Sequence, residues 1–178
     1  MGRVLMAREL STSQLISMRD SIKAQLLAYA VKESGKNASE FIVRDALPLT
    51  DFGFTTEAWV NQAVQTVSTW TKDWSKELPK SKFVMFYGAI NHSDAPTIIL
   101  AKFAVGANGQ TVKDIVDLGR MKAEDVVKCY FEPIMYKGGD TIHVSLYPDT
   151  TIAIRTEPLQ WLVFVAEPYG EVISGPAK

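Results

Sequence analysis

From residue 81 onward the chain is a series of short apolar runs broken at even spacing by turn residues. That pattern restricts it to a mainly β architecture. The runs fall at 83–90, 97–105, 126–131, 141–147, 151–154 and 159–166. Turn clusters separate them at 91–96, 106–109, 137–140 and 148–150, and Asn108-Gly109 suits a position of positive φ. An earlier run, 41–47, closes at Pro48. The polar stretch 112–125 is expected to hold a short strand and one helical turn. Together these predict an eight-stranded antiparallel sandwich of the jelly-roll type. A seven-stranded immunoglobulin-like sandwich is the alternative.

One helix precedes the strands. Ser11 with Gln14 forms a capping box, and Leu10 with Leu15 a hydrophobic staple. Leu15, Met18, Ile22, Leu26 and Tyr29 recur every three or four residues, with Gly35 placed to end the helix, so the spacing predicts a helix over 12–34. Arg19, Lys23 and Gln25 are assigned to its opposite face. Such a helix either covers its own sheet or docks on a neighbouring subunit. The organisation expected is an N-terminal helical arm over 1–40 and one β-sandwich domain over 41–178, since no repeat, low-complexity tract or Gly/Ser linker divides the chain. Residues 48–56 read as a loop carrying two exposed aromatics, Phe52 and Phe54. The segment 57–78 is ambiguous. Trp59, Ala63, Val67 and Trp70 have helical spacing, whereas the Thr, Val and Trp content favours a strand, placed at 62–74.

Chemistry is hard to find along the chain. A net charge of −1 gives no electrostatic footprint for nucleic acid or an anionic membrane. Lys72, Lys76, Lys80 and Lys82 are offset by Asp73 and Glu77. The one cysteine, Cys129, rules out an internal disulfide and reads as a buried, inert thiol. No apolar run approaches the roughly 20 residues of a membrane span. Residues 1–8 are too short and too broken for a secretory leader, so synthesis in the cytoplasm is expected. His92 and His143 have no partners at metal-ligand spacing, and no phosphate-binding or nucleophile motif occurs. A triad of Ser145, His92 and Asp94 is one of many arbitrary triples. The acidic residues Asp114, Asp117, Glu124 and Asp125 alternate with Lys113, Arg120, Lys122 and Lys128, as in a solvated loop with local ion pairs. Trp59, Trp70, Trp74 and Trp161 suit either a sugar-stacking platform or a core. The reading is therefore not an enzyme, with no catalytic, cofactor-binding or metal residues and no cofactor.

The stretches Phe86-Tyr-Gly-Ala-Ile90, Phe103-Ala-Val-Gly-Ala-Asn-Gly109, Asp114-Ile-Val-Asp-Leu118, Tyr130-Phe-Glu-Pro133 and Val165-Ala-Glu-Pro-Tyr-Gly170 carry a resemblance over about half the chain. This region resembles the single jelly-roll capsid proteins of tailless icosahedral viruses with an internal membrane. The type is the small major capsid protein of the sphaerolipovirus group, whose hosts are thermophilic bacteria and haloarchaea. The near-zero charge departs from the acidic surfaces of haloarchaeal proteins and leaves a bacterial or non-halophilic host.

The resemblance implies a structural virion protein. It would self-associate, and pair with a second capsid protein, to build an icosahedral shell. It would make no direct contact with nucleic acid and would lie near an internal viral membrane without spanning it. Localisation would be the virion, and the tail 172–178 would either cross to a neighbour or fray. The alternative is a carbohydrate- or ligand-binding β-sandwich module without catalysis. An enzyme on the same scaffold, or a tail or fibre adaptor, ranks behind both. Exposed Phe52 and Phe54 would favour assembly, a row of exposed tryptophans sugar binding, and a polar cleft holding His143 or Glu132 chemistry.

Overall fold

A computed structural model describes residues 4–170. The tail 172–178 lies outside the described residues. The described chain is a β-sandwich of nine antiparallel strands with three α-helices, one of them long. The strands are β1 (Val4–Met6), β2 (Phe41–Asp45), β3 (Thr71–Glu77), β4 (Phe83–Asn91), β5 (Ile98–Val105), β6 (Thr111–Asp117), β7 (Lys128–Tyr136), β8 (Thr141–Pro148) and β9 (Leu159–Pro168). One sheet has the order β1-β7-β4-β9-β2 and the other β3-β8-β5-β6. Between them lies one apolar core with Phe86, Phe103, Trp161 and Tyr136 near its centre.

Helix α1 (Thr12–Ser34) has the expected bounds and ends. The Ser11 and Gln14 side chains cap each other's backbone N–H groups, and Gly35 closes the helix at φ 71°. Ile22, Leu26 and Ala30 are buried against Phe41, Phe83, Met85 and Phe164 on the outer face of the five-stranded sheet. The helix thus covers its own sheet, and β1 extends that sheet through β7. Arg19 and Lys23 do not point away as assigned. Both lie over the Phe164 ring, at 5.3 and 5.2 Å, because their long aliphatic stems let them cover apolar surface while the charge stays wet.

The expected strand at 62–74 is a correction. Only its last residues belong to a strand, β3, which continues to Glu77. No helix forms there either. Residues 61–70 make one isolated bridge, Gln65 to Ile152, and otherwise run as loop. The run 151–154, also expected as a strand, contributes only the other half of that bridge. Both segments lie beyond the sheet, where their Val, Thr and Ile residues have no ladder to join. The nine strands differ from the expected eight, with β1 among those the sequence pattern did not mark. As expected, the stretch 112–125 supplies a strand and the helical turn α3 (Gly119–Ala123).

Phe52 and Phe54 are buried, contrary to expectation. Pro48 starts the short helix α2 (Pro48–Phe52), which folds across the open side of the sandwich between β2 and β3. It places Phe52 and Phe54 against Trp59 and Trp74, with ring centroids 5.1 to 5.7 Å apart. These rings seal one side of the core.

The middle of β4 shifts register against both neighbours between Phe86 and Gly88. A Cβ on Gly88 would stand 2.6 Å from the Cys129 carbonyl oxygen and 2.8 Å from Leu162 Cδ1. The carbonyl belongs to a sheet ladder and cannot retreat. Gly88→Ala is therefore expected to cost about 1–3 kcal/mol, read as a lowered midpoint in thermal unfolding. An unchanged midpoint would mean that this bulge is pliable.

Candidate functional site

Alternation of strand direction gathers the connections 61–70, 92–97, 118–127 and 149–158 at one end of the sandwich. Among the described residues the opposite end carries the short turns 78–82, 106–110 and 137–140 and the connection 35–40 from α1 into β2. The longer end concentrates unusual features. Val64, Val67, Val127 and Ile154 there are 42 to 62% exposed. The three non-glycine residues of positive φ found among the described residues, Ser68, Asp125 and Arg155, also lie there, at 51°, 51° and 60°. Such backbone persists only where its surroundings impose it.

At Arg155 a buried polar network imposes it. Asn61 is 1% exposed, and its amide uses its full bonding capacity. Its Nδ2 donates to the Ala63 and Ala153 carbonyls, each at 2.8 Å. Its Oδ1 accepts from the Thr156 and Glu157 N–H groups. The Asn61 carbonyl also accepts the Arg155 N–H. Glu157, equally buried, accepts from Asn91 Nδ2 at 2.8 Å and from the N–H and hydroxyl of Thr97. The His92 N–H donates to the Pro158 carbonyl and the Asn91 N–H to the Val127 carbonyl. Four loops are thereby fastened in a row: 61–70, then 149–158, then 92–97, then 118–127. Lys122 and Asp149 add an ion pair across the row.

Asp73 anchors the first loop from beneath. Its Oδ1 accepts from the Gln62 N–H at 2.7 Å, the Ala63 N–H at 3.1 Å and Gln65 Nε2 at 3.0 Å. Burial nevertheless pushes this carboxyl up to about 7, because the three donors only partly offset the loss of water. No charged group contributes to the shift.

A recess of about 200 Å³ opens between 92–97 and 118–127. It is lined by Met121 and Val126, with Asp94, Lys122 and Asp125 also around it. A second groove of about 420 Å³ runs beside the N-terminal half of α1, lined by Leu15, Met18, Tyr87, Tyr130 and Leu162.

Other residues marked in the sequence are dispersed. His143 is buried at the opposite end, with Nε2 2.7 Å from the Gly106 carbonyl. His92 contacts Gln160, and Ser145 is half-buried within β8, so no triad assembles. Glu132 borders an open groove of about 650 Å³ with Tyr29, Lys113 and Asp114. Among the described residues no three His, Cys, Asp or Glu side chains are grouped to hold a metal. Glu124 is taken up by Arg8 and Arg120. Trp74 and Trp161 are core residues, while Trp59 and Trp70 are half-buried, Trp70 beneath Lys102 and against Tyr147. No row of exposed tryptophans forms. Burial drives the Cys129 thiol up to about 12, which keeps it protonated. Among the described residues no helix is long and apolar enough to cross a membrane.

Reading the sequence alone missed the loop network. Asn61, Asn91 and Glu157 look like ordinary turn residues, and only the fold brings them together. No family model and no curated protein matches this chain.

Proposed function

We propose that the protein is a structural subunit that self-associates into a shell, built on a jelly roll. The observation that carries the functional reading is the loop-built end. It holds exposed apolar side chains on loops made rigid by buried hydrogen bonds, without a convergent set of reactive groups. A rigid, partly apolar surface of this kind suits repeated protein contacts. A net charge of −1 lets many copies approach without strong repulsion.

The jelly-roll reading is supported by strand order. Four strands ordered β2-β9-β4-β7 face four ordered β3-β8-β5-β6. That is the order made when a long hairpin of eight strands wraps around itself into two Greek keys. On this reading β1 is an added edge strand. A second capsid protein as partner, and the virion as location, rest on the family resemblance and belong to the same proposal.

The groove beside α1 favours a second reading, a ligand-binding module, since it sets Tyr87, Tyr130 and Leu162 next to the charged Arg19, Asp45 and Lys128. Light scattering on size-exclusion fractions over a concentration series, with negative-stain microscopy, separates the two. Discrete assemblies that grow with concentration are expected. A strict monomer throughout, with saturable binding on a glycan or lipid array, would overturn the shell reading.

A further inference from the structure

Different loops of the row carry unlike features. Ile154 and Arg155 stand on 149–158, which Asn61 ties to the loop 61–70. Ile154 is 48% exposed. Arg155 is exposed and makes no ion pair among the described residues. Its φ of 60° is one that an arginine rarely adopts. Asn61 fixes this projection from both flanks, through the Ala153 carbonyl and the Arg155 N–H. The projection is thus held in place before any partner arrives.

The recess of about 200 Å³ opens between the loops 92–97 and 118–127. Val126 and the exposed Val127 give it apolar walls over the buried Met121. Asp94 and Asp125 at its border have no ion-pair partner among the described residues, and Asp125 is itself held at φ 51°. The cation there, Lys122, is engaged by Asp149. The recess therefore presents apolar surface with an excess of negative charge, and the projection presents a branched aliphatic side chain next to a free positive charge.

We propose that copies of this chain join side by side, with Ile154 and Arg155 of one copy seated in the recess between Asp94 and Asp125 of the next. The proposal rests on the shell reading and names its contact. The occupant is a second copy because both halves of the complementary pair are on this chain, on different loops of one end of the sandwich, and Arg155 makes no ion pair with Asp94 or Asp125 of its own copy. A contact between different patches leaves each copy with a free projection or a free recess, so it propagates into a ring or a row. The pairing of unlike charge sets orientation as well as strength.

Charge reversal tests this. Arg155→Asp puts a residue tolerant of positive φ at position 155 and is expected to weaken self-association by at least roughly tenfold. The double variant Asp94→Lys/Asp125→Asn reverses the recess and is expected to do the same. Mixing the two variants is expected to restore assembly, since each projection then meets a recess of opposite charge. Ile154→Ser, at an exposed position, is expected to weaken association without any charge change. Circular dichroism and thermal midpoints establish that each variant is folded. If the unaltered chain assembles while Arg155→Asp and Ile154→Ser assemble equally well, this contact is wrong and the shell reading stands. If both charge variants fail alone and also fail as a mixture, the contact is again wrong. If the unaltered chain is monomeric at every concentration, both the contact and self-association are overturned.

Discussion

Replacing Asp51 with alanine is expected to cost about 3–5 kcal/mol of stability at pH 7. Asp51 on α2 is 3% exposed and stands between two cations. Arg44 grips both of its oxygens, at 2.7 and 2.8 Å, and Lys82 Nζ lies 3.1 Å away. Its Oδ2 also accepts the Leu47 N–H. The same two cations bind Glu167, Arg44 Nε at 2.6 Å and Lys82 at 2.9 Å. Two positive and two negative groups are thus balanced beneath α2, and removing one carboxylate leaves an excess buried charge. The helix that seals the core with Phe52 would lose its fastening.

The pH dependence has a definite sign. Burial pushes the Asp51 carboxyl up, but Arg44, the Leu47 N–H and Lys82 outweigh that and hold it below the usual carboxylate range. A carboxyl lowered by folding stabilises the protein above its unfolded pKa, and that contribution fades as pH falls through the folded value. Urea unfolding at pH 7 and at successive values below 4 should therefore show the gap between wild type and Asp51→Ala closing with acid. A gap that stays constant would mean that the effect comes from packing rather than charge.

Asp73 should act in the opposite direction and in a different window. Its carboxyl rises from 3.8 to about 7 on folding, so the folded state holds the proton more tightly than the unfolded chain. Stability tied to this group is complete below about 4, falls as pH rises, and is fully lost just above 7. A change of that size corresponds to roughly 4 kcal/mol. Asp73→Asn retains an acceptor for the Gln62, Ala63 and Gln65 donors without the charge. It is expected to exceed wild type by roughly 2–4 kcal/mol at pH 8, by roughly 1–2 kcal/mol at pH 5, and to match it only below about pH 4. Parallel stability curves for the two proteins from pH 5 to 8 would show that Asp73 stays ionised throughout. With Asp51 acting below 4 and Asp73 above it, wild type should be most stable in the mildly acidic range.

Both residues show where sequence reading ends. Asp73 in Lys72-Asp-Trp74 reads as one charge among alternating lysines, and Asp51 as one polar residue in a loop. Their special character comes from partners far along the chain, 31 residues away for Asp51 with Lys82 and 8 for Asp73 with Gln65. The aromatic seal is invisible in the sequence for the same reason. Phe52 and Phe54 sit among turn residues, and nothing local says that this loop lies across an open side of the core.

The sequence by itself determined α1, with its cap at Ser11 and its stop at Gly35, and most of the strands from β4 onward. Those elements follow from local rules: side-chain periodicity, capping chemistry and the positive φ that glycine permits. Tertiary structure alone decided the rest. Residues 61–70 and 151–154 have strand-like composition but lie beyond the sheets, so they became loops. Asn61 and Glu157 then fastened those loops into one end of the sandwich. A buried amide or carboxylate needs its partners brought to within about 3 Å. Here those partners are up to 96 residues apart in the chain, at a separation that no local pattern encodes.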